Sequence, residues 1–232
     1  MSEPNDARRK GRPPKQVSPP EHPGLQVEAP LASLPPTARH VLDVAWRVLL
    51  ERGYRGLTIE AVALEAGEAP ATIKRHFGTK AGLVEALLDA VTQDAYVTLT
   101  ERVHRLPPGD ERIHAYITGL HEIIVDTPAS QAILEIAPLA VRDEFVRRRI
   151  AALYAWYRQL TLEESGMLDQ LAGRSVDARL RQELEQVAAV ILAALDGLAY
   201  QAVLDPEGFD GEGTMATLAE MVRARVRGLL DA

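Results

Sequence analysis

Ala71-Thr72-Ile73-Lys74-Arg75-His76-Phe77-Gly78-Thr79-Lys80 is the stretch on which the fold of this chain turns. It follows Pro70, a residue suited to a first helical position because its missing N–H is not needed there. The segment reads as a short helix from Pro70 to about His76, a break at Gly78-Thr79, and a long helix opening near Lys80. Upstream, Thr58 reads as the N-cap of a helix over about Ile59–Ala66, and Gly67-Glu68-Ala69 as the break between two helices. Ala63 and Gly67 lie four apart, the small residue at a helix contact and the glycine at a tight turn that a helix-turn-helix needs. Val62 and Ala66 supply apolar contacts on either side. Further upstream, Val41, Leu42, Ala45, Val48 and Leu49 recur at three- and four-residue steps, and Gly53 closes that helix.

Downstream the pattern stays helical. The expected elements are Lys80–Leu106, Glu111–Asp126, Ala129–Arg142 bent near Pro138, Asp143–Leu168, Arg179–Leu204 and Thr214–Leu230. No period-two alternation interrupts them, so the sequence predicts an all-α fold. Its parts are a Pro-rich arm (1–36), a three-helix unit (37–82, motif about 59–78) and a larger helical domain (83–232). Nine of the 15 prolines lie in the arm, which has no apolar periodicity and reads as disordered or extended.

The 232 residues carry a net charge of −7, a poor match to a generic nucleic-acid binder. The distribution says something different. Residues 1–82 hold 12 basic and 9 acidic side chains, a net of +3, whereas 83–232 hold 14 and 24, a net of −10. A basic head on an acidic body is the implied arrangement.

Cysteine is absent, which excludes disulfides, thiolate metal sites and thiol nucleophiles. The first 36 residues contain no apolar signal-peptide core, and the longest apolar run, Val187 to Leu195, is short for a membrane span of roughly 20 residues. A cytoplasmic protein without membrane contact is expected. The six histidines, His22, His40, His76, His104, His114 and His121, show no metal-ligand spacing. Ser165-Gly166 lacks a nucleophile elbow, and no glycine-rich phosphate loop occurs. No metal, cofactor or catalytic residue is implied, so no enzyme is expected.

The run Ala71 to Lys80, followed by Leu83, Leu87 and Leu88, resembles the N-terminal domain of the tetracycline-repressor (TetR) family, over about 50 residues. Two positions depart from the family pattern: Glu68 stands where an aliphatic residue is usual, and Lys74 where Tyr is usual. The resemblance implies a homodimeric regulator, a repressor, that binds a double-stranded DNA operator and answers to a small-molecule effector. Its DNA-binding residues would be Thr58, Pro70, Ala71, Thr72, Lys74, Arg75, His76 and Lys80. A helix as short as Pro70–His76 fits a major groove about 12 Å wide. Ala71 and Thr72 would meet base edges, Arg75 would read guanine or grip phosphate, and Lys80 and Thr58 would hold phosphate. Phe77 reads as core, and His76 is open between packing and a phosphate contact.

In the arm, Arg9-Lys10-Gly11-Arg12-Pro13 resembles an AT-hook, an extended module for narrow minor grooves. The bland alternative is a solvated basic tail. An architectural protein for AT-rich DNA, lacking any effector, is the second functional reading of the chain.

Leu195-Asp196-Gly197-Leu198-Ala199-Tyr200-Gln201-Ala202, followed by Leu204-Asp205-Pro206, resembles the penultimate helix of members with the betaine-regulator-type C-terminal domain. Val187–Leu204 is apolar nearly all round and must be covered on more than one side. Helices 179–204 and 214–230 would pair across a two-fold axis, the alternative being burial within a monomer. Tyr96, Tyr116, His121, Trp156, Tyr157 and Tyr200 are candidate lining for an effector pocket, against the plain alternative of core aromatics. Arg147-Arg148-Arg149 reads as a solvated face, with an anionic ligand as the other option.

Overall fold

The computed structural model describes residues 34–126, 133–168 and 178–231. Every regular element among them is helical: α1 (Pro36–Gly56), α2 (Ile59–Ala66), α3 (Pro70–Phe77), α4 (Lys80–Val103), α5 (Asp110–Asp126), α6 (Glu144–Glu164), α7 (Ala178–Leu204) and α8 (Gly211–Leu230). The arm residues Arg9, Lys10, Gly11, Arg12 and Pro13 lie outside the described residues.

The first three helices and the start of α4 form one small unit. Val41, Leu42, Ala45, Val48 and Leu49 of α1 are all buried, with Ile59, Val62 and Ala63 of α2, Ile73 of α3 and Leu83, Val84, Leu87 and Leu88 of α4. Local chemistry sets the boundaries. Thr58 Oγ1 accepts from Ala61 N at 3.0 Å and Thr79 Oγ1 from Gly82 N at 3.2 Å, each satisfying a first-turn donor. Gly67 takes φ 65° and ends α2, with Glu68 N donating to Ala63 O at 3.0 Å and Gly67 N to Leu64 O at 3.4 Å, the paired bonds of a left-handed helix stop. At Gly82 a Cβ would collide with the Phe77 carbonyl, so only glycine lets α3 end against the first turn of α4.

Several boundaries differ from expectation: α4 ends at Val103 rather than Leu106, α6 at Glu164 rather than Leu168, and α8 opens at Gly211 rather than Thr214. Gly53 does break α1, with φ 65° and ψ 177°, but one further turn follows to Gly56. The bent helix expected over Ala129–Arg142 is helical at 133–136 and then tightens into a 3₁₀ turn, Ala137–Val141, while 129–132 lie outside the described residues. Pro138, at the start of that turn, cannot donate to an α-helical ladder.

The larger domain packs α5 against α4, α7 and α8, and α6 against α4 and α7. The boundary expected between 82 and 83 falls in the first turn of α4, so α4 belongs to both parts. One polar junction ties three of its helices together. Glu164, 7% exposed at the end of α6, accepts from Arg112 Nε of α5 at its backbone oxygen (2.8 Å) and meets His104 Nε2 at its carboxylate (2.6 Å). Arg112 Nη2 also stands 3.8 Å from that carboxylate, and a buried carboxylate so partnered is tolerable where an unpaired one would not be.

α7 has the length and apolar content of a membrane span. One face, including Leu184, Ala188, Ile191 and Leu195, is buried in the domain. The other exposes Val190, Tyr200, Val203 and Leu204, and the neighbouring α8 exposes Met221. Gly197 and Gly228, on these two helices, have open space where a Cβ would be.

Candidate nucleic-acid interface

α3 is held by a single buried side chain. Ile73 is fully buried, and Phe77 packs half-buried against the core as expected. Pro70, Ala71, Lys74 and Arg75 are exposed and Thr72 is half-buried. Lys74, Arg75 and His76 fall in the last turn, where cations also suit the helix dipole. His76 is half-buried, its ring 6.1 Å from that of Phe77, and its Nε2 has no hydrogen-bond partner among the described residues. Glu68, the acidic departure from the family pattern, is half-buried and spends its N–H on closing α2.

Thr58 uses its hydroxyl oxygen as the α2 cap, which leaves the hydroxyl hydrogen available to donate. Lys80, expected to hold phosphate, also has a partner within the chain. Its Nζ donates to the Tyr54 carbonyl and lies 4.0 Å from the centre of the Tyr54 ring, a cation–π placement. Partial burial lowers the Lys80 pKa, and the Asp143 carboxylate at the start of α6 works against that shift. Burial and then Asp143 raise Tyr54. The Gly53 break turns the chain just before Tyr54, and sequence reasoning overlooked that tyrosine. Its position after a glycine stop was the available signal.

Four of the six candidate pocket residues gather in one place. Tyr96, Tyr116, Trp156 and Tyr157 are all buried; Trp156 packs edge-on to Tyr157 at 5.1 Å and to Tyr96 at 6.4 Å between ring centres. Thr161 spends its hydroxyl hydrogen on the Tyr157 carbonyl (2.7 Å), so the 3.0 Å contact with Tyr116 is donated by the phenol. Burial, followed by Glu164 and Glu163, pushes Tyr96 up to about 12, and burial raises Tyr116 further. Trp156 Nε1 has no partner among the described residues although the side chain is fully buried. His121 lies elsewhere, its ring 3.8 Å from where a Gly211 Cβ would stand. Tyr200 is exposed on α7 and donates to the Leu134 carbonyl at 3.3 Å. Among the described residues, no cluster of His, Asp and Glu gathers that could hold a metal ion.

The arginine run is corrected at one position. Arg147 and Arg148 are solvated and pair with Glu144 on their own helix. Arg149 is only 14% exposed and crosses to α4, with Nη2 2.9 Å from Asp89 Oδ1 and Nε 3.7 Å from Glu85 Oε1. The cause is tertiary: α4 presents two carboxylates at the one position of the run that faces it.

A helix-turn-helix with an outward, cationic second helix, set on a larger all-α body, is now in view, and comparison decides what it belongs to. Residues 41–87 match the bacterial regulatory proteins of the tetR family, and residues 109–227 match the BetI-type transcriptional repressor C-terminal domain. The chain belongs to the TetR family. It is a DNA-binding transcriptional regulator with a BetI-type C-terminal domain.

The HTH-type transcriptional regulator BetI of Escherichia coli O139:H28 is 25% identical over 175 residues, spanning 74% of this chain and 85% of BetI. A crystal structure of a transcriptional regulator from Pseudomonas aeruginosa PAO1 matches with a TM-score of 0.63 at 25% identity, covering 87% of this chain and 95% of that one. A regulator from Saccharomonospora viridis, solved with choline, shares the fold with a TM-score of 0.53 at 22% identity, covering 84% and 95%.

Proposed function

We propose that this TetR-family regulator is a homodimeric, ligand-responsive repressor acting on an operator in the cytoplasm. The observation that carries the reading is α3: one fully buried anchor, Ile73, leaves Ala71, Lys74 and Arg75 exposed on a helix short enough for the groove. Ala71 and Thr72 meet base edges, Arg75 reads guanine, and Lys74, His76, Thr58 and Lys80 serve the phosphates. Pro70 sets where the helix starts. The arm around Arg12 adds minor-groove contact. A phosphate reaching Lys80 competes with the Tyr54 carbonyl and ring for the same ammonium.

Dimerisation through α7 and α8 is supported by the exposed Val190, Val203, Leu204 and Met221 and by the bare glycines Gly197 and Gly228, which allow close approach. The effector site is the aromatic group of Tyr96, Tyr116, Trp156 and Tyr157. A fully buried indole N–H without a partner is costly, and a ligand acceptor would satisfy it. Since the regulator solved with choline shares only the fold with this chain, choline is one effector to try among others.

Footprinting of the DNA upstream of the protein's own gene tests the reading, with and without candidate effectors. Two protected half-sites roughly 34 Å apart, released by one effector, are the expected result. Uniform protection without symmetry, unaffected by any ligand, would instead favour the architectural reading.

A further inference from the structure

Three arginines follow one another at the start of α6, yet only Arg149 is turned inward. It reaches Asp89 at 2.9 Å and Glu85 at 3.7 Å, both on α4, within three turns of Lys80. Burying a guanidinium is expensive unless it is paired; here Asp89 accepts its hydrogen bond and Glu85 adds charge without one, and that directional contact holds only in one relative orientation of the two helices. Apolar contacts between α4 and α6, by contrast, tolerate small rotations. The same end of α6 lies against the reading head. Asp143 caps α6 through Phe145 N at 2.9 Å, and its charge reaches both Lys80 and Tyr54. Glu135, just before the 3₁₀ turn, lies 4.0 Å from where a Gly53 Cβ would be. α6 therefore grips α4 between the sensor's aromatic group, to which it contributes Trp156 and Tyr157, and the head.

We propose that Arg149 is the positioning residue through which the C-terminal domain fixes the direction of α4, and with it the spacing of the two α3 helices. The inference rests on the dimeric, effector-controlled reading above. In that reading Arg149 touches neither DNA nor effector. Displacement of α6 at the aromatic group breaks or keeps the Arg149 contact as a discrete event, and α4 turns accordingly.

The chain lacks cysteine, so a single Asp43→Cys on the exposed side of α1 gives one nitroxide per protomer with no background. The full-length protein carrying this label is compared with Arg149→Gln, Arg149→Lys and the exchange Asp89→Arg/Arg149→Asp. Head-to-head distances are read by pulsed electron resonance, and affinity for upstream DNA and for a random duplex by anisotropy. R149Q is expected to shift or broaden the distance and to weaken upstream-DNA binding about five-fold or more, with random-duplex affinity within about two-fold. R149K, which keeps the charge, and the exchange should both recover the parent values, and recovery with aspartate at position 149 is what loss of packing alone would not allow. An R149Q protein with parental distance and affinity overturns the proposal, as does an exchange variant that recovers neither. If R149Q does not fold, R149K and the exchange decide on the same criteria. Absence of dipolar signal in the parent sinks the dimer, and the affinity ratios then decide Arg149 alone. Absence of sequence preference in the parent sinks the operator reading, and the distances decide.

Discussion

The Lys80 ammonium lies 4.0 Å from the centre of the Tyr54 ring while donating to the carbonyl of the same tyrosine. It is thus a positioned charge rather than a free one. Held at the junction of α1 and α4, it presents its remaining donors in a fixed direction. A point charge reads no base, so Lys80→Ala should weaken specific and random DNA alike and reduce the slope of log affinity against log salt by about one. Salt titrations on both duplexes check this, and a selective loss on the specific duplex alone would be inconsistent with it.

Arg75 and Thr72 should behave oppositely. On α3, Arg75 is exposed and Thr72 half-buried, on either side of the buried Ile73 in sequence. Alanine at either position is expected to cost about 1–3 kcal/mol on the specific duplex, much less on random DNA, and to relax preference at one base pair per half-site. Binding to a library of single-base operator variants measures it.

Ile73 and Gly82 carry the head's stability. Ile73 is fully buried and is the one side chain α3 buries, so Ile73→Ala should cost about 2–5 kcal/mol. Gly82→Ala should destabilise by a comparable amount, because its Cβ enters the Phe77 carbonyl and pushes α3 off α4. Both should lower the melting temperature and DNA binding together, whereas an α7 substitution such as Val190→Arg should break the proposed dimer and leave the head folded. Melting curves and sedimentation separate the two behaviours.

Asp89 gives a pH dependence with a definite sign. Burial raises its pKa from 3.8 to about 6, although Arg149 pulls the other way and Glu85 adds to the rise. The folded protein therefore holds this proton more tightly than the unfolded chain. Its stabilising effect is present below about pH 4 and is lost as pH rises to about 6, after which the curve is flat. Asp89→Asn should remove that slope in chemical denaturation across pH 4–7, and an unchanged slope would assign it to another group.

The reading head was legible because its boundaries are written in single residues. Thr58 caps the helix that follows it, Gly78-Thr79 marks a break, Pro70 suits a first turn, and Gly67 and Gly78 stop helices locally. The apolar steps of α1 left the buried set little freedom. The body was less legible, since its decisive contacts join distant residues. Arg149 meets Asp89 across 60 positions, and nothing in a run of three arginines marks which one turns inward. Lys80 meets Tyr54 across 26 positions. The aromatic group was half legible: helical spacing proposed six residues, and helix packing brought four together, leaving His121 and Tyr200 elsewhere.

Whether the protein distinguishes one DNA sequence from another is read by a competition titration. Labelled upstream DNA is held at fixed salt with the full-length protein and displaced by the same duplex or by a scrambled one of equal composition. The scrambled duplex should compete at least about 10³-fold less well. Equal competition by the two would contradict it.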